Sequence, residues 1–172
     1  MEKNIGLIGI FGVLVLVVAV SGCSSNTGNT TMSYNGVSFL YPSDMSNATT
    51  SGDIISGSKN WQTISFMANN NVNMLFQKYN GQIDPSSAIS ADELSVKTNN
   101  GNVTSTTDTK NPNGVEVFGD IESLVDPSSK NILTYHNMLF TSGGVTYSLS
   151  IYGSNDQAVL DAYNMAFNSL KA

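Results

Sequence analysis

Arginine is absent from this 172-residue chain: its seven basic residues are all lysines, set against 13 acids for a net charge of −6. An acidic surface without guanidinium groups to fork onto phosphates or base edges argues against nucleic-acid binding, and against specific binding of anionic polymers or lipid headgroups. One histidine, His136, and one cysteine, Cys23, are too few imidazole and thiolate donors for a zinc or copper site. The lone cysteine also excludes an internal disulfide. No phosphate-cradling glycine loop and no G-x-S-x-G occur, so neither a nucleotide site nor a serine hydrolase is signalled. No metal and no cofactor is expected, and the chain is read as non-enzymatic.

What the chain does contain is sharply divided. Residues 1–22 hold one early cation, Lys3, an apolar stretch from Ile5 to Val20, and small residues before a break, the three parts of an export signal. As a helix that stretch would reach roughly 24 Å, short of the ~30 Å hydrocarbon core, so export is favoured over a membrane span. Val20-Ser21-Gly22-Cys23 resembles the lipobox of prokaryotic lipoproteins. The resemblance implies cleavage before Cys23 and lipid on its sulfur, which would also remove the oxidation hazard of a free thiol outside the cell. Residues 23–32 ("CSSNTGNTTM") then read as the lipidated cysteine and a flexible tether, and residues 33–172 as one domain. Without residues 1–22 the charge stays at −6, because Glu2 and Lys3 leave together.

Asparagine is abundant, as in "MANNNVN" and "KTNNGN", and with lysine in place of arginine this suggests an AT-rich bacterial or archaeal genome. Sequons at Asn29, Asn47 and Asn102 are candidate glycosylation sites in an exported protein.

Within the domain, "YNGVSFLYP" alternates as a strand that Pro42 ends. "GDIISGS" and "WQTISFMA" read as a strand pair, and "NVNMLFQKY" as either a short helix or a strand. "DPSSAISADELSVKTN" looks helical, capped by Ser87 or Ser90, with Asp92 and Glu93 in an early turn. "NPNG" and "SGG" mark two hairpins among four later strands. In "VTYSLSIYG" one face is apolar, and only that face requires a core partner. A C-terminal helix with a Ser154/Gln157 capping box would offer Leu160, Tyr163, Phe167 and Leu170, with Ala162 and Ala166 allowing close approach. The expected class is α+β, an antiparallel sheet of about 5–7 strands with the C-terminal helix on one face.

The strand "YNGVSFLYP", the hairpin "NILTYHNMLFTSGGVTYSLSIYG" and the helix "DQAVLDAYNMAFNSLK" together resemble the PsbP-like proteins, over residues 33–171. The resemblance implies an α/β/α sandwich. One departure is Ser43-Asp44-Met45, where the family often carries a tryptophan; here the sole tryptophan is Trp61. Functions within that family differ too widely for one to be carried over.

Few residues suggest chemistry. His136 reads as a partly buried, hydrogen-bonded strand residue rather than a catalytic base. Glu116, Asp120 and Glu122 alternate on one strand and would share its solvent face, an acidic stripe better suited to water than to a tight calcium cage. Asp92 and Glu93 are neighbours that diverge on a helix, so they do not pair as a glycosidase acid and base. Trp61, Phe66, Phe76 and Tyr79 read as core. The expected function is a membrane-anchored extracytoplasmic lipoprotein, tethered through lipid on Cys23, that binds or assists an envelope protein or component. The alternative is a small-ligand or calcium binder, or a hydrolase whose site converges only in three dimensions.

Overall fold

The computed structural model of the chain describes residues 28–47, 60–126 and 128–172. Strands β1 (Asn29–Tyr34) and β2 (Val37–Pro42) form a hairpin. Its turn, Asn35-Gly36, takes positive φ at both positions (47° and 86°), the pairing a tight two-residue hairpin demands. Residues 29–32, which composition assigned to the tether, are thus held in a strand by pairing with β2. The expected strand "GDIISGS" lies outside the described residues.

A seven-stranded antiparallel sheet forms the centre, in the order β3-β4-β5-β9-β8-β7-β6. Its members are β3 (Ser46–Asn47), β4 (Trp61–Ala68), β5 (Asn73–Tyr79), β6 (Asn102–Lys110), β7 (Glu116–Val125), β8 (Ile132–Ser142) and β9 (Val145–Gly153). "NVNMLFQKY" is therefore a strand; it pairs along its length with both β4 and β9, which overrides its ambiguous local pattern.

Helix α2 (Asp156–Ser169) and the β1–β2 hairpin cover one face of the sheet, and helix α1 (Pro85–Thr98) covers the other. Ser38 and Lys171 exchange backbone hydrogen bonds at 2.9 and 2.8 Å, tying the hairpin to the chain just beyond α2. The main core lies on the α2 side, where Phe39, Met74, Phe76, Met138, Phe140, Leu149 and Ile151 are fully enclosed. Val159, Ala162, Ala166 and Leu170 complete it from the helix side. The expected stripe is thus rotated by part of a turn: Leu160 is exposed and Val159 takes the inward position, since the small Ala162 and Ala166 draw that face closest to the sheet. The cap is Asn155, which accepts from Ala158 N at 3.1 Å, and not Ser154.

On the α1 side, two smaller apolar clusters flank a polar band. Trp61, Ala88, Ile89 and Leu139 form one; Leu133, Tyr135 and Tyr152 form the other. Consequently β9 is buried on both faces, Thr146 and Ser148 included, where one buried face was expected. The Thr146 hydroxyl meets its need by donating to the Ile83 carbonyl at 2.8 Å.

Candidate functional site

Three acids are buried together in that polar band. Helix α1 starts at Pro85 behind an Asp84 cap, whose carboxylate accepts from Ser87 N at 3.0 Å. This places the helix start earlier than the serine caps expected at Ser87 or Ser90, so Asp92 and Glu93 fall in the middle of the helix. Ala88, Asp92 and Val96 recur at four-residue spacing and, with Ile89, make the buried side of α1. Across from them, Phe118 of β7 packs with Ala88 and Ile89. Successive strand residues alternate, so Asp120 and Glu122 share the face of Phe118 and lie under the helix.

Asp92, Asp120 and Glu122 are 8%, 2% and 3% exposed. Each offers one carboxylate oxygen, and these three oxygens lie within 4.8 Å of one another. Asn137, opposite Asp120 in the β7–β8 register, donates its amide to Asp120 Oδ1 at 2.8 Å and to Glu122 Oε2 at 3.3 Å. With both carboxylates ionised, the second oxygens, Asp120 Oδ2 and Glu122 Oε1, have no hydrogen-bond partner among the described residues. Asp92 receives no hydrogen bond among the described residues; burial first, then the charges of Asp120 and Glu93, raise its pKa well above the carboxylate range.

Burial is likewise the main reason Asp120 is raised to about 6, against the lowering effect of Asn137. Glu122 is raised to about 10 by burial and by the charges of Asp92 and Asp120. In its acid form Glu122 donates to Asp120, so the ion-free pair holds a proton. The one ion pair among the described residues, Lys97 with Glu93 at 3.7 Å, lies on the outer side of α1 and brings no cation to the cluster.

The expected acidic stripe therefore splits. Glu116 is exposed, whereas Asp120 and Glu122 are core residues. Their common parity was legible; the face was misassigned because a helix covers that side of the sheet. A signal existed in α1, where Asp92 sits at the centre of the apolar positions Ala88, Ile89 and Val96. Glu93 diverges as expected, accepting from Thr106 Oγ1.

The other residues singled out in the sequence lie elsewhere. His136 alternates with Tyr135 and Asn137 and so faces α2, tilted against Tyr163 with ring centres 5.1 Å apart. It is buried as expected, but its Nδ1 has no partner among the described residues, and burial lowers its pKa. Trp61 and Phe76 are core, while Phe66 and Tyr79 are half-buried against it. Asn29, Asn47 and Asn102 are all exposed. Cys23 lies outside the described residues. A groove of about 450 Å³ opens near the start of β7, between Asp84, Glu116, Phe118 and Thr141.

No protein-family model matches the sequence, and no curated protein matches it at a significant level. Solved structures do match. LpqN of Mycobacterium tuberculosis, described as involved in cell envelope biogenesis, superposes with a TM-score of 0.52 at 13% identity, over 84% of this chain and 91% of that one. The cyanobacterial PsbP protein CyanoP of Synechocystis superposes with a TM-score of 0.60 at 11% identity, over 90% of this chain and 98% of that one. At such identities the likeness concerns the fold: an antiparallel seven-stranded sheet between helices, closed by a C-terminal helix, is the PsbP-like fold, and this chain has it.

Proposed function

We propose that the chain is an extracytoplasmic protein, held at the cell membrane by lipid on Cys23, whose domain binds or assists an envelope protein or component without catalysing a reaction. The observation that carries this reading is Val20-Ser21-Gly22-Cys23, directly after an apolar stretch and directly before a polar one. Strand β1 begins at Asn29, so few residues separate the attachment point from the folded domain, which would sit close to the membrane surface. Among the described residues no helix is long and apolar enough to cross a membrane, and anchoring by lipid needs none. The likeness to LpqN adds a protein of similar fold whose description places it in envelope biogenesis. The sheet sets the one imidazole, His136 under α2, on the opposite face from the acids under α1, so His136 does not pair with them.

Intact mass of the membrane-associated protein tests the reading, alongside a Cys23→Ser variant. The expected species begins at Cys23 with added lipid mass, and the variant loses both that mass and the membrane. An unprocessed chain that stays in the membrane without Cys23 would overturn it.

A further inference from the structure

We propose that Asp92, Asp120 and Glu122 form a binding site for a hard divalent cation, calcium in the first place, between α1 and the sheet. Three carboxylates from two packed elements bring their oxygens together inside the protein, and among the described residues none of the three forms an ion pair with a lysine. Acidic residues close together on a surface would mean little, because water solvates them. Here the residues are more than nine-tenths buried, and two facts beyond the clustering indicate a missing partner. Asp92, on α1, takes no hydrogen bond among the described residues although it is buried and aimed at the β7 pair. With both groups ionised, Asp120 Oδ2 and Glu122 Oε1 have no partner among the described residues, and only a proton shared between the two acids or a bound cation can supply one, while Asn137 fixes the other oxygen of each. Asn137 is thus a positioning residue: by donating to Oδ1 and Oε2 it holds both β7 carboxylates in place and leaves one oxygen of each open to a ligand.

The donor set selects the ion. All three ligands are carboxylate oxygens, the preference of hard cations, and neither the histidine nor the cysteine shares the site. Ligands on opposite sides of a calcium ion, each bonded at about 2.3–2.6 Å, lie about 4.6–5.2 Å apart, against about 4.0–4.2 Å for magnesium. A spread of up to 4.8 Å accommodates calcium without contraction of the helix toward the strand. Three carboxylates, mono- or bidentate, supply three to six of the six to eight oxygens calcium takes, and water reaching the partly exposed Asp92 can complete the shell. The ion would replace the proton held by Glu122 and Asp120 and tie α1 to β7. The site stands independently of the lipid anchor.

The test uses the full-length protein, purified in detergent and stripped with EDTA, titrated with calcium chloride and in parallel with magnesium chloride and manganese chloride. Calorimetry is expected to show one calcium per chain with a Kd between about 10⁻⁵ and 10⁻³ M. Saturating calcium should raise Tm by about 5 °C. Asp92→Asn and Glu122→Gln should each weaken binding at least tenfold, whereas Glu116→Gln, on the same strand but exposed, should leave it unchanged. Both core variants replace a buried charge by an isosteric amide, and their circular dichroism and melting in EDTA report whether they are folded. Tighter binding of manganese or magnesium than of calcium would overturn the choice of ion. No binding of any of the three, or binding that survives in folded Asp92→Asn and Glu122→Gln, would overturn the site.

Discussion

Asp92 on α1 and Glu122 on β7 present carboxylate oxygens within 4.8 Å of each other beneath the helix, and burial raises the pKa of both, with the charge of Asp92 adding to the rise at Glu122. A group whose folded value lies above its unfolded one contributes stability that is complete below the unfolded value and fades as pH rises through the folded value. For Asp120 that fading runs from about 4 to about 6, and for Glu122 from about 4.5 to about 10. The ion-free domain should therefore be more stable at pH 5 than at pH 8. Each group that stays protonated only in the fold contributes at most about 1.4 kcal/mol per pH unit, so over these three units Glu122 contributes up to about 4 kcal/mol and Asp120 about 1.4 kcal/mol, and a difference of several kcal/mol is expected. His136 acts oppositely: its lowered value makes acidification below about 6.5 destabilising, one group against three. Asp84 and Asp126, with lowered values, act only below about pH 4, outside this interval. Urea unfolding in EDTA at pH 5 and pH 8 measures the difference, and greater stability at pH 8 would contradict the burial of these acids.

Removing one of the buried charges should stabilise the ion-free domain where the acids would otherwise ionise. Glu122→Gln and Asp92→Asn keep the volume, and the new amides can donate to the neighbouring carboxylates. At pH 8 in EDTA each is expected to gain at least about 1–2 kcal/mol, because the unfolded chain is ionised there and the native fold must take up a proton or bury the charge, and at pH 4.5, near the unfolded values, that gain should vanish. Urea midpoints of the two variants at the two pH values decide the matter. A loss at pH 8 would mean that the ionised carboxylates have a partner that compensates their burial.

This core of acids also marks the limit of what the sequence revealed. The last four strands, the two turns between them and the C-terminal helix were legible because period-two alternation and Asn/Gly turns are local signals. So was the common face of Asp120 and Glu122. Which side of the sheet that face met was not, since covering by α1 is a long-range contact that leaves no local trace in β7. The N-caps slipped by one to several residues, to Asp84 and Asn155, because serine, asparagine and aspartate compete for the same role in a polar stretch. The β1–β2 turn carried the Asn35-Gly36 signal and was passed over, because the residues before it looked compositionally like a linker.

Asn111, in the turn between β6 and β7, closes the end of α2. Its amide donates to the carbonyls of Phe167 at 3.0 Å and Leu170 at 2.6 Å, while its Oδ1 accepts from Asn113 N at 3.0 Å and Val115 N at 2.9 Å. One buried side chain therefore satisfies helix-end acceptors and orders its own turn. Asn111→Ala should cost about 1–3 kcal/mol, the range for stranding buried polar groups. Asn111→Asp should be nearly as costly, for it keeps the acceptors but sets a carboxylate against two carbonyls. Chemical denaturation of both variants tests this, and a neutral Asn111→Asp would show that the contacts to α2 carry little.

Gly153, at the end of β9, admits the backbone of the β4–β5 turn. A Cβ there would lie 2.2 Å from the Asn71 carbonyl oxygen and 3.3 Å from Val159 Cγ2, so an alanine would have to displace main chain rather than a flexible side chain. Gly36, by contrast, has nothing within 4 Å, and alanine there meets only the strain of its φ of 86°. Gly153→Ala should cost about 1–3 kcal/mol, typical of overpacking. It should also loosen Asn69–Val72, the turn held by Asn69 Oδ1, which accepts from Asn71 N at 2.9 Å and Val72 N at 2.8 Å. Gly36→Ala should cost about 1 kcal/mol and leave that turn unchanged. Thermal unfolding ranks the two variants, and amide exchange at Asn71 and Val72 reports the turn. If exchange there is no faster in Gly153→Ala than in Gly36→Ala, the close approach does not constrain the turn.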